Sequence, residues 1–125
     1  MKKVLMVEDD PDQVFMYTEA FKVADSDFEV IVAKDGEEGI KKAKEENPDV
    51  VVLDILMNGT SGIDVLEEIK KDPKTKKIPV LVFTNLVQEH IKKKVKELGA
   101  EEFIVKTDIV PNDIVKKVEK IVNRH

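Results

Sequence analysis

The chain has 125 residues, of which 42% are apolar and 38% are charged, a composition typical of one globular domain rather than a disordered chain. The formal net charge of −5 argues against a nucleic-acid-binding protein. The absence of cysteine excludes disulfides, thiol catalysis and thiolate metal sites. No apolar run approaches the roughly 20 residues of a membrane span. We therefore expect a single domain over residues 1–125 with no membrane insertion, and the lack of a visible signal peptide predicts a cytoplasmic location.

Five short runs of β-branched and aliphatic residues predict strands. In chain order they are Lys3–Val7, Glu29–Ala33, Val50–Asp54, Val80–Thr84 and Glu102–Val105. The middle runs consist almost entirely of Val, Ile and Leu, as in parallel strands that are covered on both faces.

Segments with helical periodicity separate these runs. The first helix is predicted to begin at Asp10-Pro11, with Asp10 as its cap and Gln13 completing a capping box. The next two are predicted at about 36–46 and 62–71. The fourth places Val87, Ile91, Val95 and Leu98 at helical spacing and ends at Gly99, and the fifth carries Ile114, Val118 and Ile121 after Pro111.

Alternating strands and helices predict an α/β fold with an open parallel sheet and helices on both faces. Ligands bind such sheets at the carboxyl ends of the strands, where the strand order reverses. Five polar residues fall at or just past predicted strand ends: Glu8, Asp9, Asp54, Thr84 and Lys106. The sequence therefore predicts a functional site along this edge of the sheet.

Each of these residues also has an ordinary structural interpretation. An aspartate such as Asp54 after a strand is commonly a turn or helix cap, and Glu8-Asp9 is compatible with a solvated turn. Lys106 is one of many lysines, and Thr84 is a good strand residue. Several carboxylates converging on one pocket are nevertheless costly unless a cation, a proton or chemistry offsets their repulsion. A carboxylate in such a pocket can also attack a phosphoryl group as a nucleophile.

The chain resembles the receiver domain of two-component response regulators, essentially from end to end. The residues that carry the resemblance are Glu8-Asp9 after the first strand, Asp54 after the third, Thr84 after the fourth and Lys106 after the fifth, together with Gly62 and Phe103. The resemblance implies a flavodoxin-like fold with strand order 2-1-3-4-5 and five helices.

The resemblance also implies a role for each residue. Asp54 would accept a phosphoryl group from the phosphohistidine of a sensor histidine kinase or phosphotransfer protein. Mg²⁺ would be held by Glu8, Asp9, Asp54 and the backbone carbonyl of Leu56, as suits a hard cation that prefers oxygen ligands. Lys106 and Thr84 would contact the phosphoryl group. Thr84 and Phe103 would then switch partner binding at the fourth helix, fifth strand and fifth helix.

Three positions depart from the usual receiver pattern. Asn58 stands where proline is common, which predicts a more mobile loop over 57–61. Thr107 stands where receivers carry a cis proline, so the Lys106–Thr107 peptide is either an enforced cis bond or a trans bond. Asn85 is bulkier than the small residue often found beside the conserved threonine, and we expect it to restrict access to the phosphoryl group.

Two rival functions remain. An aspartyl-nucleophile phosphatase commonly carries a second acid two residues after its nucleophile, where this chain has Leu56. A pseudo-receiver would act only as an interaction module and take no phosphate. Because the missing acid argues against the phosphatase, we predict a signalling switch rather than a metabolic enzyme. We expect it to be monomeric or weakly dimeric, to act on an unknown downstream protein without direct nucleic-acid contact, and to be stand-alone or part of a longer protein.

Overall fold

Strands and helices alternate throughout the computed structural model, which describes residues 2–24, 27–57 and 61–125. The strands are β1 (Lys2–Val7), β2 (Phe28–Ala33), β3 (Val50–Leu53), β4 (Val80–Thr84) and β5 (Glu102–Val105). The helices are α1 (Pro11–Val23), α2 (Gly36–Glu46), α3 (Gly62–Lys71), α4 (Glu89–Glu97) and α5 (Pro111–Asn123), and a short 3₁₀ turn covers Lys106–Asp108. Within these ranges no helix combines the length and the apolar character needed to cross a membrane.

The five strands form one parallel sheet in the order β2-β1-β3-β4-β5. This confirms the predicted fold and strand order. The order reverses between β1 and β3, which are neighbours in the sheet although β2 lies between them in sequence. The carboxyl ends of β1 and β3 therefore flank the position where ligands of such sheets bind.

Side chains alternate between the two faces of the sheet, because successive strand residues point in opposite directions. Val4 and Met6 pack in a core with α1 and α5, whereas Leu5 and Val7 pack with α2, α3 and α4. β3 and β4 are buried along their whole length, which explains why their sequences are almost uninterrupted aliphatic runs.

Two predicted helix details are wrong. α4 begins at Glu89, so Val87 precedes the helix and its side chain is 64% exposed; its helical spacing to Ile91 was coincidental. At α1 the Asp10 cap is confirmed, since Asp10 Oδ1 accepts a hydrogen bond from the Asp12 amide. Gln13 does not complete a capping box, because the Asp10 amide donates to Glu8 Oε2 instead.

Gly62 begins α3 directly against the segment that follows β3. A Cβ atom at this position would lie 2.4 Å from the Ile55 Cα and 2.5 Å from the Asp54 carbonyl oxygen. Both neighbours are backbone atoms, which cannot move aside as a flexible side chain does. The missing side chain of Gly62 therefore allows α3 to approach the chain immediately after Asp54.

We expect Gly62→Ala to lower the free energy of unfolding by about 1–3 kcal/mol, the usual range for overpacking, measured by urea denaturation. Gly39→Ala is the matched control. The nearest atoms to its added Cβ belong to the Val7 side chain, at 3.0 Å, and replacing a glycine within a helix gains up to about 1 kcal/mol of helix propensity. Equal losses for the two variants would contradict the proposed backbone contact.

Candidate functional site

The pairing of β1 with β3 brings the two acidic strand ends together. Val7 pairs with Leu53 in the parallel register, so the next residues along the chain, Glu8 and Asp54, are neighbours at the same edge. The Asp54 amide continues the ladder by donating to the Val7 carbonyl oxygen at 3.1 Å. Both carboxylate side chains are buried, with 4% of Glu8 and 6% of Asp54 exposed.

Lys106 joins this pair from the far side of the sheet. It follows β5, and its side chain reaches across the end of β4, where its Nζ lies 5.8 Å from the centroid of the Phe83 ring. The ammonium donates to Asp54 Oδ2 at 2.6 Å and to Glu8 Oε1. One buried cation is thus shared by two buried carboxylates.

Burial and the contacts between Lys106 and the carboxylates shift the pKa values of this cluster in opposite directions. Burial raises the pKa of the Glu8 carboxyl to about 7, against the opposing effect of Lys106 and with a further increase from the charge of Asp54. Burial lowers the pKa of the Lys106 ammonium, but its hydrogen bonds and charge interactions with Asp54 and Glu8 outweigh burial and bring that pKa above its ordinary value. Glu8 therefore holds a proton more readily than an exposed glutamate does, while Lys106 holds its charge.

Asp54 is also a turn residue. Its Oδ1 accepts a hydrogen bond from the Leu56 amide at 2.9 Å, while its Oδ2 faces Lys106. Asp54 is therefore both a turn cap, as an aspartate after a strand commonly is, and a member of the buried cluster. The turn fixes the carboxylate so that one oxygen faces the backbone and the other faces the ammonium.

An open cleft of about 400 Å³ lies above this cluster, and it has room for a hydrated ion and a small anion. Its walls combine acidic side chains with one lysine: they comprise Glu8, Asp9, Asp10, Pro11, Gln13, Asp54, Leu56, Asn85 and Lys106. The predicted ligand residues Asp9 and Leu56 thus share the cleft with Glu8 and Asp54.

The donor chemistry of the cleft fits a hard divalent cation. Every charged acceptor in its walls is a carboxylate, and nitrogen or sulfur ligands of softer metals are missing from the lining. Among residues 2–24, 27–57 and 61–125, no three acidic or histidine side chains are already arranged as a metal cluster. Because Glu8 and Asp54 already contact Lys106, a cation at these two side chains would share their oxygens with its ammonium.

Thr84 and Phe103 lie away from the cleft lining. Thr84 is completely buried at the end of β4, and its Oγ1 accepts a hydrogen bond from the Leu86 amide at 3.2 Å. Phe103, in the middle of β5, is half-buried on the face that carries α4, beside Val95 and Ala100. One predicted switch residue thus lies at the end of β4 and the other on the α4 face of β5, and neither touches Lys106 or Asp54 among the contacts described.

The structure adds Gln13 to the site. Its Oε1 accepts a hydrogen bond from Lys106 Nζ, and its Nε2 donates to Asp10 Oδ2 at 3.4 Å. The sequence holds one signal for this: Gln13, Tyr17 and Phe21 recur at helical spacing, and the latter two are buried. Gln13 is thus a polar residue on the buried stripe of α1, at the end of the helix nearest the cleft.

Two of the three departures from the receiver pattern can be located. Every peptide bond in the described ranges is trans, so the trans alternative is correct for Lys106–Thr107, and the chain there forms a 3₁₀ turn. Asn85 lines the cleft. The prediction for Asn58 concerns the loop over 57–61, of which residues 58–60 lie outside the described residues.

Known proteins resemble this chain in both sequence and fold. Residues 4–119 match the sequence model of the family described as the response regulator receiver domain. Protein PilH of Pseudomonas aeruginosa is 33% identical over 106 residues, which cover 85% of this chain and 86% of PilH. The chain spans only about half of several other relatives, for instance 49% of a transcriptional regulatory protein of Bacillus subtilis that is 32% identical to it.

Solved structures agree with this assignment. The chemotaxis protein CheY4 of Vibrio cholerae superposes with a TM-score of 0.86 at 27% identity, over 97% of this chain and 98% of CheY4. The Mn²⁺-bound form of the response regulator Rcp1 superposes with a TM-score of 0.82 at 30% identity, over 97% of this chain and 91% of Rcp1.

We expect the stability of the native protein, relative to Glu8→Gln, to fall by roughly 1–3 kcal/mol as the pH rises from about 5 to 8. The pKa of Glu8 is about 7 in the folded protein, above the ordinary 4.5. The native state therefore keeps a proton that the unfolded chain has already lost in this interval, and raising the pH removes that advantage.

Urea denaturation at several pH values in metal-free buffer measures this difference. Glu37→Gln, which changes an exposed carboxylate in the first turn of α2, is the control and should follow the native protein at every pH. A constant difference between the native protein and Glu8→Gln over the same interval would contradict the prediction.

Proposed function

Because this chain belongs to the response regulator receiver domain family, we propose that it is a phosphoacceptor switch in which Asp54 takes a phosphoryl group from a phosphohistidine. The observation that carries the proposal is the buried Lys106 ammonium in contact with both Glu8 and Asp54 at the carboxyl edge of the sheet. The donor would be a sensor histidine kinase or a phosphotransfer protein of a two-component system.

The proposed reaction is a displacement at phosphorus. An Asp54 carboxylate oxygen forms a bond to phosphorus while the bond between phosphorus and the histidine nitrogen breaks, and the electron pair of that bond stays on the imidazole. Lys106 stabilises the negative charge that accumulates on the phosphoryl oxygens. The turn from Asp54 Oδ1 to the Leu56 amide holds the nucleophile in a fixed orientation.

The acidic cleft supports a requirement for Mg²⁺, which Glu8, Asp9, Asp54 and the Leu56 carbonyl would hold. When bound, the ion supplies positive charge that offsets both the carboxylate and the incoming phosphoryl group. The cleft contributes the oxygen ligands and excludes bulk water from the buried side of Asp54.

Thr84 and Phe103 would transmit the phosphorylation of Asp54 to the surface that binds the partner. The Thr84 hydroxyl accepts from the Leu86 amide and still has its own hydrogen to donate to a phosphoryl oxygen. Phe103 lies beside α4, in which only Val95 is fully buried, whereas α5 buries five apolar residues. α4 is therefore the element that can shift at least cost, and the face formed by α4, β5 and α5 is the proposed surface for the downstream partner.

Incubation of the protein with acetyl phosphate and Mg²⁺ should add one phosphoryl group, detected by intact mass as an acid-stable, base-labile adduct. Asp54→Asn should carry no adduct, because the amide lacks the nucleophilic oxygen. Asp12→Asn, an exposed first-turn residue of α1, should be modified like the native protein. Persistence of the adduct in Asp54→Asn would overturn the assignment of Asp54.

Lys106→Met should lower stability and tighten Mg²⁺ binding by roughly tenfold, because Glu8 and Asp54 then face each other without a shared ammonium. The shift of the urea midpoint with Mg²⁺ concentration measures this affinity. Lys96→Met, an exposed residue of α4, should leave the affinity unchanged. Weaker Mg²⁺ binding in Lys106→Met would argue that the ion does not use these carboxylates.

A further inference from the structure

Gln13 occupies a position in the cleft that the proposed chemistry does not yet explain. It lies in the first turn of α1, is half-buried and lines the cleft beside Lys106. Its carboxamide is bound at both ends, since Oε1 accepts from Lys106 Nζ and Nε2 donates to Asp10 Oδ2. A residue that only capped the helix or covered the core would need neither contact.

Gln13 completes the hydrogen bonding of Lys106. A lysine ammonium has three N–H groups, and here they meet three acceptors from three elements: Glu8 Oε1, Asp54 Oδ2 and Gln13 Oε1. With all three directions used, the ammonium has a defined orientation at the end of a long and otherwise flexible side chain. Two acceptors would leave it free to turn toward the open cleft.

An uncharged side chain such as that of Gln13 suits a position beside this charged cluster. The cluster already holds two buried carboxylates against one ammonium. A third carboxylate here would increase that imbalance, whereas an apolar side chain would leave one N–H of Lys106 without a protein partner. A carboxamide supplies the missing acceptor without adding negative charge.

Asp10 fixes the direction of the carboxamide. Its Oδ1 caps α1 through the Asp12 amide, and its Oδ2 accepts from Gln13 Nε2. With the NH₂ group directed to Asp10, the carbonyl oxygen of Gln13 faces Lys106. A continuous set of hydrogen bonds therefore runs from the amino terminus of α1 to the ammonium and on to Asp54.

We propose that Gln13 is a positioning residue for Lys106, which holds the ammonium against Asp54 for phosphoryl transfer. The inference rests on the proposed phosphorylation of Asp54 and adds a residue that orients its cationic partner. Because the Gln13 bond is the only one of the three that involves a neutral acceptor, it is also the bond that Lys106 exchanges for a phosphoryl oxygen at the lowest cost.

The first test observes the ammonium directly, without Mg²⁺ or phosphate. In protein labelled with ¹⁵N-lysine, the Lys106 ammonium should give a slowly exchanging signal that is absent from Lys106→Met. Gln13→Met should accelerate its hydrogen exchange by roughly tenfold or more, as expected for the loss of one hydrogen bond to a charged group. Gln13→Glu, which keeps an acceptor of the same length, should retain slow exchange.

The second test measures phosphorylation by acetyl phosphate in the presence of Mg²⁺. Gln13→Met should lower the maximal rate constant by roughly tenfold and leave the half-saturating donor concentration unchanged, since the residue acts through Lys106 rather than on the donor. Gln88→Met, which changes the chain's other glutamine at the start of α4, is the matched control and should behave like the native protein.

The outcomes separate the two proposals. If the native protein takes no phosphate, the proposed function fails, while the exchange measurement still tests the contact between Gln13 and Lys106. If the native protein is phosphorylated and Gln13→Met matches it in both rate and exchange, the role of Gln13 is overturned. A lower urea midpoint with unchanged exchange would also overturn it, and Gln13→Leu replaces the methionine variant if that variant does not fold.

Discussion

The site depends on one ammonium held among acceptors that come from opposite sides of the sheet. Lys106 follows the edge strand β5, Glu8 and Asp54 follow β1 and β3, and Gln13 belongs to the first turn of α1. None of these side chains is near Lys106 in sequence. The contact therefore forms only when the whole parallel sheet is assembled in the order β2-β1-β3-β4-β5. The contact of Lys106 with Glu8 and Asp54 also explains why these charged side chains can be buried beside the ends of the strands.

Much of this arrangement follows from the sequence because strong local signals and topology agree. The aliphatic runs of β3 and β4 predict buried parallel strands, and parallel strands must place their carboxyl ends at one edge. Glu8, Asp54 and Lys106 could therefore be placed together before any coordinates were known. The boundaries of two elements differ from the prediction: β3 ends at Leu53 rather than Asp54, and α4 begins two residues after Val87.

The remaining features escaped prediction because a local explanation was already sufficient. Gln13 stands three residues after a helix cap, where a capping box is the expected role, and only the distant Lys106 gives it another. Similarly, the close approach of α3 to the chain after Asp54 depends on three-dimensional packing at Gly62. The resemblance to receivers indicated that Gly62 belongs to the pattern, but the distances to Ile55 and Asp54 supply the physical reason.

The balance of charge connects the resting site with its proposed function. Two buried carboxylates share one ammonium, and burial raises the pKa of Glu8 despite its contact with Lys106, with a further increase from the charge of Asp54. A phosphoryl group on Asp54 would add negative charge beyond what Lys106 alone can offset, and the proposed cation in the acidic cleft would supply the remaining positive charge. The phosphorylated site would then favour rearrangement, because the phosphoryl oxygens would compete with Glu8 and Gln13 for the N–H groups of Lys106. A cluster with balanced charges would be more stable, but it would have less reason to bind a cation or to change when phosphate arrives.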